Sequence, residues 1–285
     1  MIACPAKLNL NLSVLKKKNN GMHEIDSQFQ LINLFDEMKI EKTNSKLLNV
    51  STNIGSSING EKNIVYQAIN ELSNYIGRQI FCNITIKKNI PLGGGLGGGS
   101  SNAAGALIGV NALFELGLSS KDLIKIGKKL GADVPFFIFG KNAHASGTGD
   151  VLFEAKSSSK KFLLLFPQIH SSTKELFHQW DRLSKDSQER ILKNEENSFL
   201  PLFLQNNQDI KGSFNQLNDL CSLRLSGTGS TMFFMYENKG EIEKTLKKIP
   251  SKWRHSFCEP LQCSPLLTYL TSVSYTHLTL PTIVG

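Results

Sequence analysis

The chain has 285 residues, of which 40% are hydrophobic, and it carries a formal net charge of +8 at pH 7. This length can bury one large core or two moderate ones, and no apolar run approaches the roughly 18 residues of a membrane span. Five scattered cysteines form no C-x-x-C pair and no secretory signal is evident, so we predict a cytoplasmic protein with reduced thiols, without disulfides or zinc.

The basic charge is distributed in small lysine clusters along the whole chain, with little aromatic interleaving. A nucleic-acid site usually concentrates such charge on one face. We therefore predict a solvated basic surface, with general attraction of anions as the alternative, and neither a nucleic-acid partner nor a membrane partner.

The sequence pattern of the first half of the chain predicts both strands and helices. Residues 6–14 alternate apolar and polar side chains, which predicts a strand whose polar face carries Lys7, Asn9, Asn11 and Ser13. A second extended segment is expected from residue 29. Residues 62–77 have helical spacing and a glycine stop, and residues 79–91 form a strand that leads into a run of glycines. Residues 101–116 predict a buried helix capped by Ser100 or Ser101, and residues 119–131 a second helix.

A composition shift at residues 155–161 marks the predicted boundary between an N-terminal domain, 1–155, and a C-terminal domain, 156–270. The second part predicts a strand at 162–166, charged helix at 173–193, two strands around a Gly-Thr-Gly turn, and a helix at 240–248. The last 14 residues carry no charge and continue no earlier pattern. We predict that residues 271–285 are a non-native tail, with a native edge strand as the alternative.

The stretch "PLGGGLGGGSS", residues 91–101, holds six glycines between a strand and a helix, which is the arrangement of an anion site. A dinucleotide fingerprint is one reading, since Gly93, Gly95 and Gly98 fit G-x-G-x-x-G and Glu115 follows, but so many glycines produce that match by chance. A P-loop fails because no Gly-Lys-Ser/Thr follows, and a flexible linker would not run into an apolar helix. The remaining interpretation is a phosphate loop of another kind, in which backbone groups and serine hydroxyls hold the phosphates.

Three motifs carry a resemblance to a known family. "PLGGGLGGGSSNAAGAL" closely resembles the central motif of the GHMP kinases, P-x-G-x-G-L-G-x-S-S/A. "PAKLNLNLSV" with "GMHEIDSQFQ" precedes it, and "LSGTGSTMFF" at residues 225–234 follows it, in the order that family shows. With "LGADVPFFIFGKNAHASGTGD" and "CSPL", the resemblance covers roughly residues 1–270 and is strongest to the branch that acts on a cytidine diphosphate substrate.

The resemblance implies a two-domain α+β fold. A ribosomal protein S5 domain 2-like N-terminal domain would carry the glycines, a ferredoxin-like C-terminal domain would follow, and the active site would lie between them. It implies ATP-dependent phosphorylation of the 2-hydroxyl of 4-diphosphocytidyl-2-C-methyl-D-erythritol in non-mevalonate isoprenoid biosynthesis, by a monomer or weak homodimer. The alternatives are a GHMP kinase acting on mevalonate, homoserine or a sugar, and a catalytically silent nucleotide-binding homologue.

Two residues are expected to be catalytic. Asp133 lies just past a helix-ending glycine, where the pattern alone allows either a structural cap or a catalytic carboxylate. The resemblance implies the general base. Lys7 is by pattern an exposed strand lysine, and the resemblance places it beside Asp133, where its charge would stabilise the reacting oxygens.

Five residues are expected to bind the acceptor substrate. Asn9 shares the strand face of Lys7, and His23 would otherwise be an ordinary loop histidine. The resemblance implies that His23 reads the cytosine edge, that Thr173 supplies a hydrogen bond, and that Phe177 supplies a ring for the base. Met22 stands where the family usually has tyrosine, so stacking and a hydroxyl are lost there.

The resemblance also implies the nucleotide site, in which backbone and hydroxyl groups hold the phosphates. The expected ATP-binding residues are Asn63, Ile64, Lys88, Pro91, Leu92, Gly93, Gly94, Gly95, Leu96, Gly97, Gly98, Gly99, Ser100 and Ser101. No carboxylate pair with metal-site spacing is evident, so we expect Mg²⁺ to arrive with ATP and predict no dedicated metal ligands.

Overall fold

The computed structural model describes residues 1–55 and 60–270, and the predicted non-native tail lies outside them. The strands are β1 Ile2–Lys17, β2 His23–Lys42, β3 Asn49–Thr52, β4 Cys82–Lys87, β5 Ala143–Ser146, β6 Val151–Glu154, β7 Lys161–Phe166, β8 Arg224–Leu225, β9 Met232–Tyr236 and β10 Arg254–Cys258. The helices are α1 Ile64–Ile76, α2 Gly98–Leu113, α3 Ser120–Gly127, α4 Val134–Phe139, α5 Thr173–Arg182, α6 Lys185–Asn194, α7 Leu200–Asn206, α8 Gln208–Asn218 and α9 Glu243–Leu246.

The first sheet is organised around β2. That strand pairs antiparallel with β1 over most of its length, with β4 near its end and with β5 near its start. The strand order is β3-β4-β2-β5-β6, with β1 paired to β2 beside this path. Shifts of register between Pro5 and Ala6, and between Asn9 and Asn11, bracket the part of β1 that carries Lys7. Such irregularities re-aim side chains, and they isolate this short segment of the strand.

Helix α2 packs on this sheet through its smallest residues. A Cβ added to Gly105 would lie 2.6 Å from Cys4 Sγ, and one added to Gly109 would lie 2.4 Å from Ile2 Cδ1. Close backbone approach is the usual reason for glycine in a buried helix. The predicted buried helix is confirmed, but the predicted serine cap is wrong, because α2 begins at Gly98 after a left-handed Gly97. The helix N-terminus therefore starts inside the glycine run.

The second sheet has four antiparallel strands in the order β10-β7-β9-β8. Its core takes in Trp180 of α5, Phe203 of α7 and Phe214 of α8, together with Leu12 and Val14 of β1. A further buried cluster joins β1 residues to the apolar side chains of β7 and β9. The mixed α+β fold is confirmed, and the boundary near residue 155 stays a prediction.

No helix in residues 1–55 and 60–270 is long and apolar enough to cross a membrane.

The predicted helix at 119–131 is shorter than expected, because α3 ends at Gly127 and a turn follows, although its capping box at Ser119 and Asp122 is confirmed. The charged segment 173–193 divides into two helices because Ser184 caps the second. The predicted helix 240–248 is a 3-10 turn, Lys239–Ile242, followed by the single turn of α9.

Candidate active site

A cleft of about 550 Å³ opens beside the middle of β1. It is bordered by β1, the start of β2, the glycine run, the residues before α4, helix α5 and the Gly-Thr-Gly turn. All seven predicted catalytic and acceptor residues line it: Lys7, Asn9, Met22, His23, Asp133, Thr173 and Phe177. They come from distant parts of the chain, so their meeting in one cleft is a result of the fold.

Lys7 and Asp133 form the charged centre of the cleft. Lys7 Nζ lies 3.3 Å from Asp133 Oδ2, and the same ammonium donates to Asn9 Oδ1 at 2.6 Å. Lys7 is only 4% exposed, so the interpretation of an exposed strand lysine is wrong. Its ammonium also lies 4.6 Å from the centre of the Phe29 ring, a favourable cation–π contact.

Asp133 is the residue before α4, and its backbone therefore occupies the N-cap position. Its side chain makes no capping hydrogen bond and is instead directed to Lys7. The structural-cap interpretation is therefore wrong for the side chain. The Asp133 side chain is 31% exposed, which leaves the carboxylate accessible to a hydroxyl group in the cleft.

Asn9 holds Lys7 in place through a short polar network. Its Nδ2 donates to Ser27 Oγ at 2.8 Å, and its backbone N–H donates to Ser226 Oγ at 3.3 Å. The side chain is 3% exposed and its oxygen is already used by Lys7. A buried amide that is hydrogen-bonded through both its oxygen and its nitrogen keeps a fixed rotamer, so Asn9 pre-positions the ammonium.

The glycine run forms a second, smaller cleft of about 240 Å³. Twelve of the predicted ATP-binding residues line it, namely Ile64, Lys88, Pro91, Leu92, Gly93, Gly94, Gly95, Leu96, Gly97, Gly98, Gly99 and Ser100. Gly95, Gly97 and Ser100 line the larger cleft as well. The two clefts therefore meet at these three residues, beside Lys7 and Asp133.

The Gly-Thr-Gly turn packs directly on the glycine run. The Thr231 N–H donates to the Gly94 carbonyl at 3.2 Å, and Ser226 Oγ donates to the Gly95 carbonyl at 3.1 Å. Gly95 has a φ of +73°, and a Cβ there would lie 2.2 Å from the Ser226 carbonyl oxygen. The flexible-linker interpretation is wrong, because this segment is packed and hydrogen-bonded.

This packing makes Gly95→Ala a sensitive test of the glycine run. Gly117→Ala is its matched control, since Gly117 has a φ of +69° but, in the described part of the chain, no atom within 4 Å of an added Cβ. Both variants strain the backbone, and Gly95→Ala also overpacks, so we expect its free energy of unfolding to be lower than that of the control by about 1–3 kcal/mol. Urea unfolding measures this difference. Equal stability of the two variants would show that the close contact relaxes without cost.

Lys88 lines the smaller cleft, and its side chain is only 5% exposed. Its Nζ forms an ion pair with Asp36 and donates to Asn102 Oδ1 at 2.8 Å. Asp36 Oδ1 also accepts from the Asn89 and Ile90 N–H groups, both at 2.8 Å. The acid is 0% exposed and was missed in the sequence, where an aspartate in a strand gives no sign of a partner 52 residues away.

Two predicted nucleotide residues do not line the smaller cleft. Asn63 is the N-cap of α1, and its Oδ1 accepts from the Val65 N–H at 2.8 Å. Ser101 lies in the first turns of α2 and is 0% exposed, and among residues 1–55 and 60–270 its Oγ has no hydrogen-bond partner. A buried hydroxyl without a partner costs free energy unless some group satisfies it, so Ser101 remains a candidate contact to phosphate.

The far end of the larger cleft is aromatic. The rings of His23 and Phe177 are stacked with centroids 4.9 Å apart, and Phe177 meets Phe199 edge-on at 4.8 Å. Thr173 Oγ1 shares a hydrogen bond of 2.8 Å with Thr228 Oγ1 of the Gly-Thr-Gly turn. Met22 is 50% exposed at the rim, where its flexible thioether can pack on a ring.

Several further residues line this cleft that sequence reasoning did not single out, namely Lys17, Lys174, His178, Asp181 and Thr228. Four of them lie in or beside charged, solvent-typical segments, which offered no signal. Thr228 is the central residue of the Gly-Thr-Gly turn, residues 227–229, which the sequence pattern did indicate.

The fold and the two joined clefts define a class of protein. Residues 63–141 match the family model of the GHMP kinases N terminal domain. The crystal structure of a 4-(cytidine 5'-diphospho)-2C-methyl-D-erythritol kinase aligns with a TM-score of 0.72 and 25% identity, over 90% of this chain and 98% of that one. The crystal structure of a mevalonate kinase aligns with a TM-score of 0.66 and 16% identity, over 91% of this chain and 98% of that one. At this identity the likeness shows the fold alone. The chain has the GHMP kinase fold, as the sequence motifs implied.

Curated relatives specify the family within that class. The 4-diphosphocytidyl-2-C-methyl-D-erythritol kinase of Ruthia magnifica subsp. Calyptogena magnifica is 34% identical over 271 residues, covering 92% of this chain and 95% of that protein. The enzyme of the same name from Francisella tularensis subsp. holarctica (strain FTNF002-00 / FTA) is 37% identical over 254 residues, covering 86% and 90%. The chain belongs to the family of 4-diphosphocytidyl-2-C-methyl-D-erythritol kinases.

Proposed function

We propose that this chain transfers the γ-phosphoryl group of ATP to the 2-hydroxyl of 4-diphosphocytidyl-2-C-methyl-D-erythritol, a step of non-mevalonate isoprenoid biosynthesis. One observation carries the proposal. The glycine-lined cleft and the acceptor cleft meet at Gly95, Gly97 and Ser100, beside the Lys7–Asp133 pair. Family membership specifies the acceptor.

In this proposal Asp133 accepts the proton of the attacking hydroxyl. Phosphoryl transfer needs little covalent chemistry from the protein, so positioning and charge stabilisation supply most of the acceleration. The Lys7 ammonium, 3.3 Å from the carboxylate, stabilises the negative charge on the acceptor and phosphoryl oxygens. Asn9 fixes that ammonium by accepting its hydrogen bond.

ATP is the phosphoryl donor, and the residues of the smaller cleft suit it. The glycines at 93, 95 and 97 have left-handed backbone and contribute no side chains of their own, and α2 begins at Gly98. A helix N-terminus with free N–H groups attracts phosphate. We propose that Mg²⁺ enters with ATP and is held chiefly by phosphate oxygens and water.

The aromatic end of the larger cleft would hold the cytidine. His23 would hydrogen-bond the base, while Phe177 and Met22 contribute apolar contact and Thr173 a hydroxyl. Because Phe177 is already stacked on His23, the base would lie against this pair rather than between the two rings. We further propose that the protein acts in the cytoplasm as a monomer or weak homodimer on this small molecule.

A panel of acceptors tests the proposal. Purified protein truncated near residue 270 is incubated with Mg-ATP and, separately, 4-diphosphocytidyl-2-C-methyl-D-erythritol, mevalonate, homoserine or a sugar, and ADP release is measured. We expect turnover with the cytidine compound alone. Turnover only with another acceptor would contradict the substrate, and ATP binding without turnover on any acceptor would favour a silent homologue.

A further inference from the structure

Asp181 of α5 is directed at the histidine of the acceptor cleft. Its Oδ1 lies 2.6 Å from His23 Nε2, and its Oδ2 lies 2.5 Å from Lys17 Nζ. The His23 side chain is only 6% exposed, and one face of its ring is stacked on Phe177. The imidazole is therefore fixed both in position and at one of its two nitrogens.

The Asp181 carboxylate determines which ring nitrogen of His23 carries the hydrogen. Burial acts to raise the pKa of Asp181, but hydrogen bonds from Lys17 and His23 outweigh it, and the pKa lies below the ordinary value. An ionised carboxylate can only accept hydrogen bonds, so His23 Nε2 must donate. In the neutral imidazole Nδ1 is then the acceptor, and within residues 1–55 and 60–270 no hydrogen bond to it is formed.

We propose that Asp181 is a positioning residue that keeps His23 in the Nε2–H tautomer and so offers Nδ1 as an acceptor to the exocyclic amino group of a cytosine base. A uracil base presents a carbonyl oxygen at that position, and two acceptors facing each other repel. The cleft selects cytidine over uridine by this means. The inference rests on the proposed contact between His23 and the base.

Lys17 has a secondary part in this arrangement. It neutralises the second carboxylate oxygen from β1, while Asp181 is supplied by α5, so the pair also links the two sides of the cleft. Its side chain is 51% exposed, and such pairs contribute little to stability. Substitution of Asp181 should therefore leave the fold intact.

The test compares Asp181→Leu, which removes the acceptor, with Asp181→Asn, which keeps an acceptor oxygen without the charge. Glu175→Gln, an exposed change on the same helix, is the control. Long-range proton–nitrogen NMR of histidine-labelled protein reports the tautomer of His23. Steady-state kinetics report kcat and KM for the cytidine substrate and for its uridine analogue.

We expect Asp181→Leu to lose the Nε2–H tautomer, raise KM for the cytidine substrate about 10-fold, and reduce the preference for cytidine over uridine, with kcat little changed. Asp181→Asn should retain most of the preference. An unchanged tautomer in Asp181→Leu would overturn the proposal whatever the kinetics, as would an altered tautomer with unchanged preference. If instead the unmodified protein does not turn over the cytidine substrate, the proposed function fails, and the NMR result still decides the role of Asp181.

Discussion

Asp133→Asn is expected to lower kcat by a factor on the order of 10²–10⁴ while leaving ATP binding unchanged. The amide preserves the size of the side chain but cannot accept a proton from the acceptor hydroxyl. Because the carboxylate makes no capping hydrogen bond to α4, the substitution removes no support from that helix. Single-turnover kinetics with saturating ATP measure the chemical step, and isothermal titration measures nucleotide affinity.

Asp209→Asn is the matched control for this prediction. Asp209 likewise lies at the N-terminal end of a helix, in the first turn of α8, but it is exposed and outside the larger cleft. It should leave kcat and ATP affinity unaltered. A kcat for Asp133→Asn within a few-fold of that of the unmodified protein would show that proton removal by Asp133 is not needed. Of the two residues, only Lys7 would then contribute to catalysis, through charge stabilisation.

Asp36→Asn is expected to lower the free energy of unfolding by about 3–5 kcal/mol, because it leaves the buried Lys88 ammonium without its counter-charge. The Asn oxygen can still accept from the Asn89 and Ile90 N–H groups, so the variant isolates the ion pair. Since Lys88 also lines the smaller cleft, its displacement should weaken ATP binding. Urea unfolding and nucleotide titration measure the two effects.

A neighbouring ion pair supplies the control. Glu37 of β2 and Lys87 of β4 are the chain neighbours of Asp36 and Lys88. Glu37 Oε1 lies 3.3 Å from Lys87 Nζ, and the two side chains are 39% and 60% exposed. Glu37→Gln should cost no more than about 1 kcal/mol. The double change of Asp36→Asn with Lys88→Met should recover much of the lost stability, because no charge is then left buried alone. Equal losses for Asp36→Asn and Glu37→Gln would contradict a buried ion pair.

Local patterns in the sequence were sufficient for most of the framework. Alternation in β1, the stop at Gly77 and the capping box at Ser119 each depend on neighbouring residues, and all are confirmed. The rejection of a flexible linker is confirmed, since the glycine run is packed and hydrogen-bonded before a buried helix, while its role as a phosphate loop stays a prediction. Its helix starts earlier than predicted, since a left-handed glycine ends the loop where a serine cap was expected.

Long-range partners could not be read from the sequence. Asp36 and Lys88 meet because β2 and β4 pair in a particular register, and Asp181 meets His23 because α5 packs against the start of β2. The motif resemblance marked Lys88 and His23, but no local pattern marks Asp36 or Asp181 as their partners. The motif resemblance located Lys7 and Asp133, but only the fold shows that they are in contact.

The most direct test of the central claim is to identify the product. The protein, Mg-ATP and 4-diphosphocytidyl-2-C-methyl-D-erythritol are incubated, and the product is analysed by phosphorus and carbon NMR. We predict one new phosphomonoester signal, with coupling to the carbon that bears the 2-hydroxyl, and one ADP for each product molecule. ADP formed without a new phosphomonoester, or a phosphate on another hydroxyl, would contradict the assignment of this cleft.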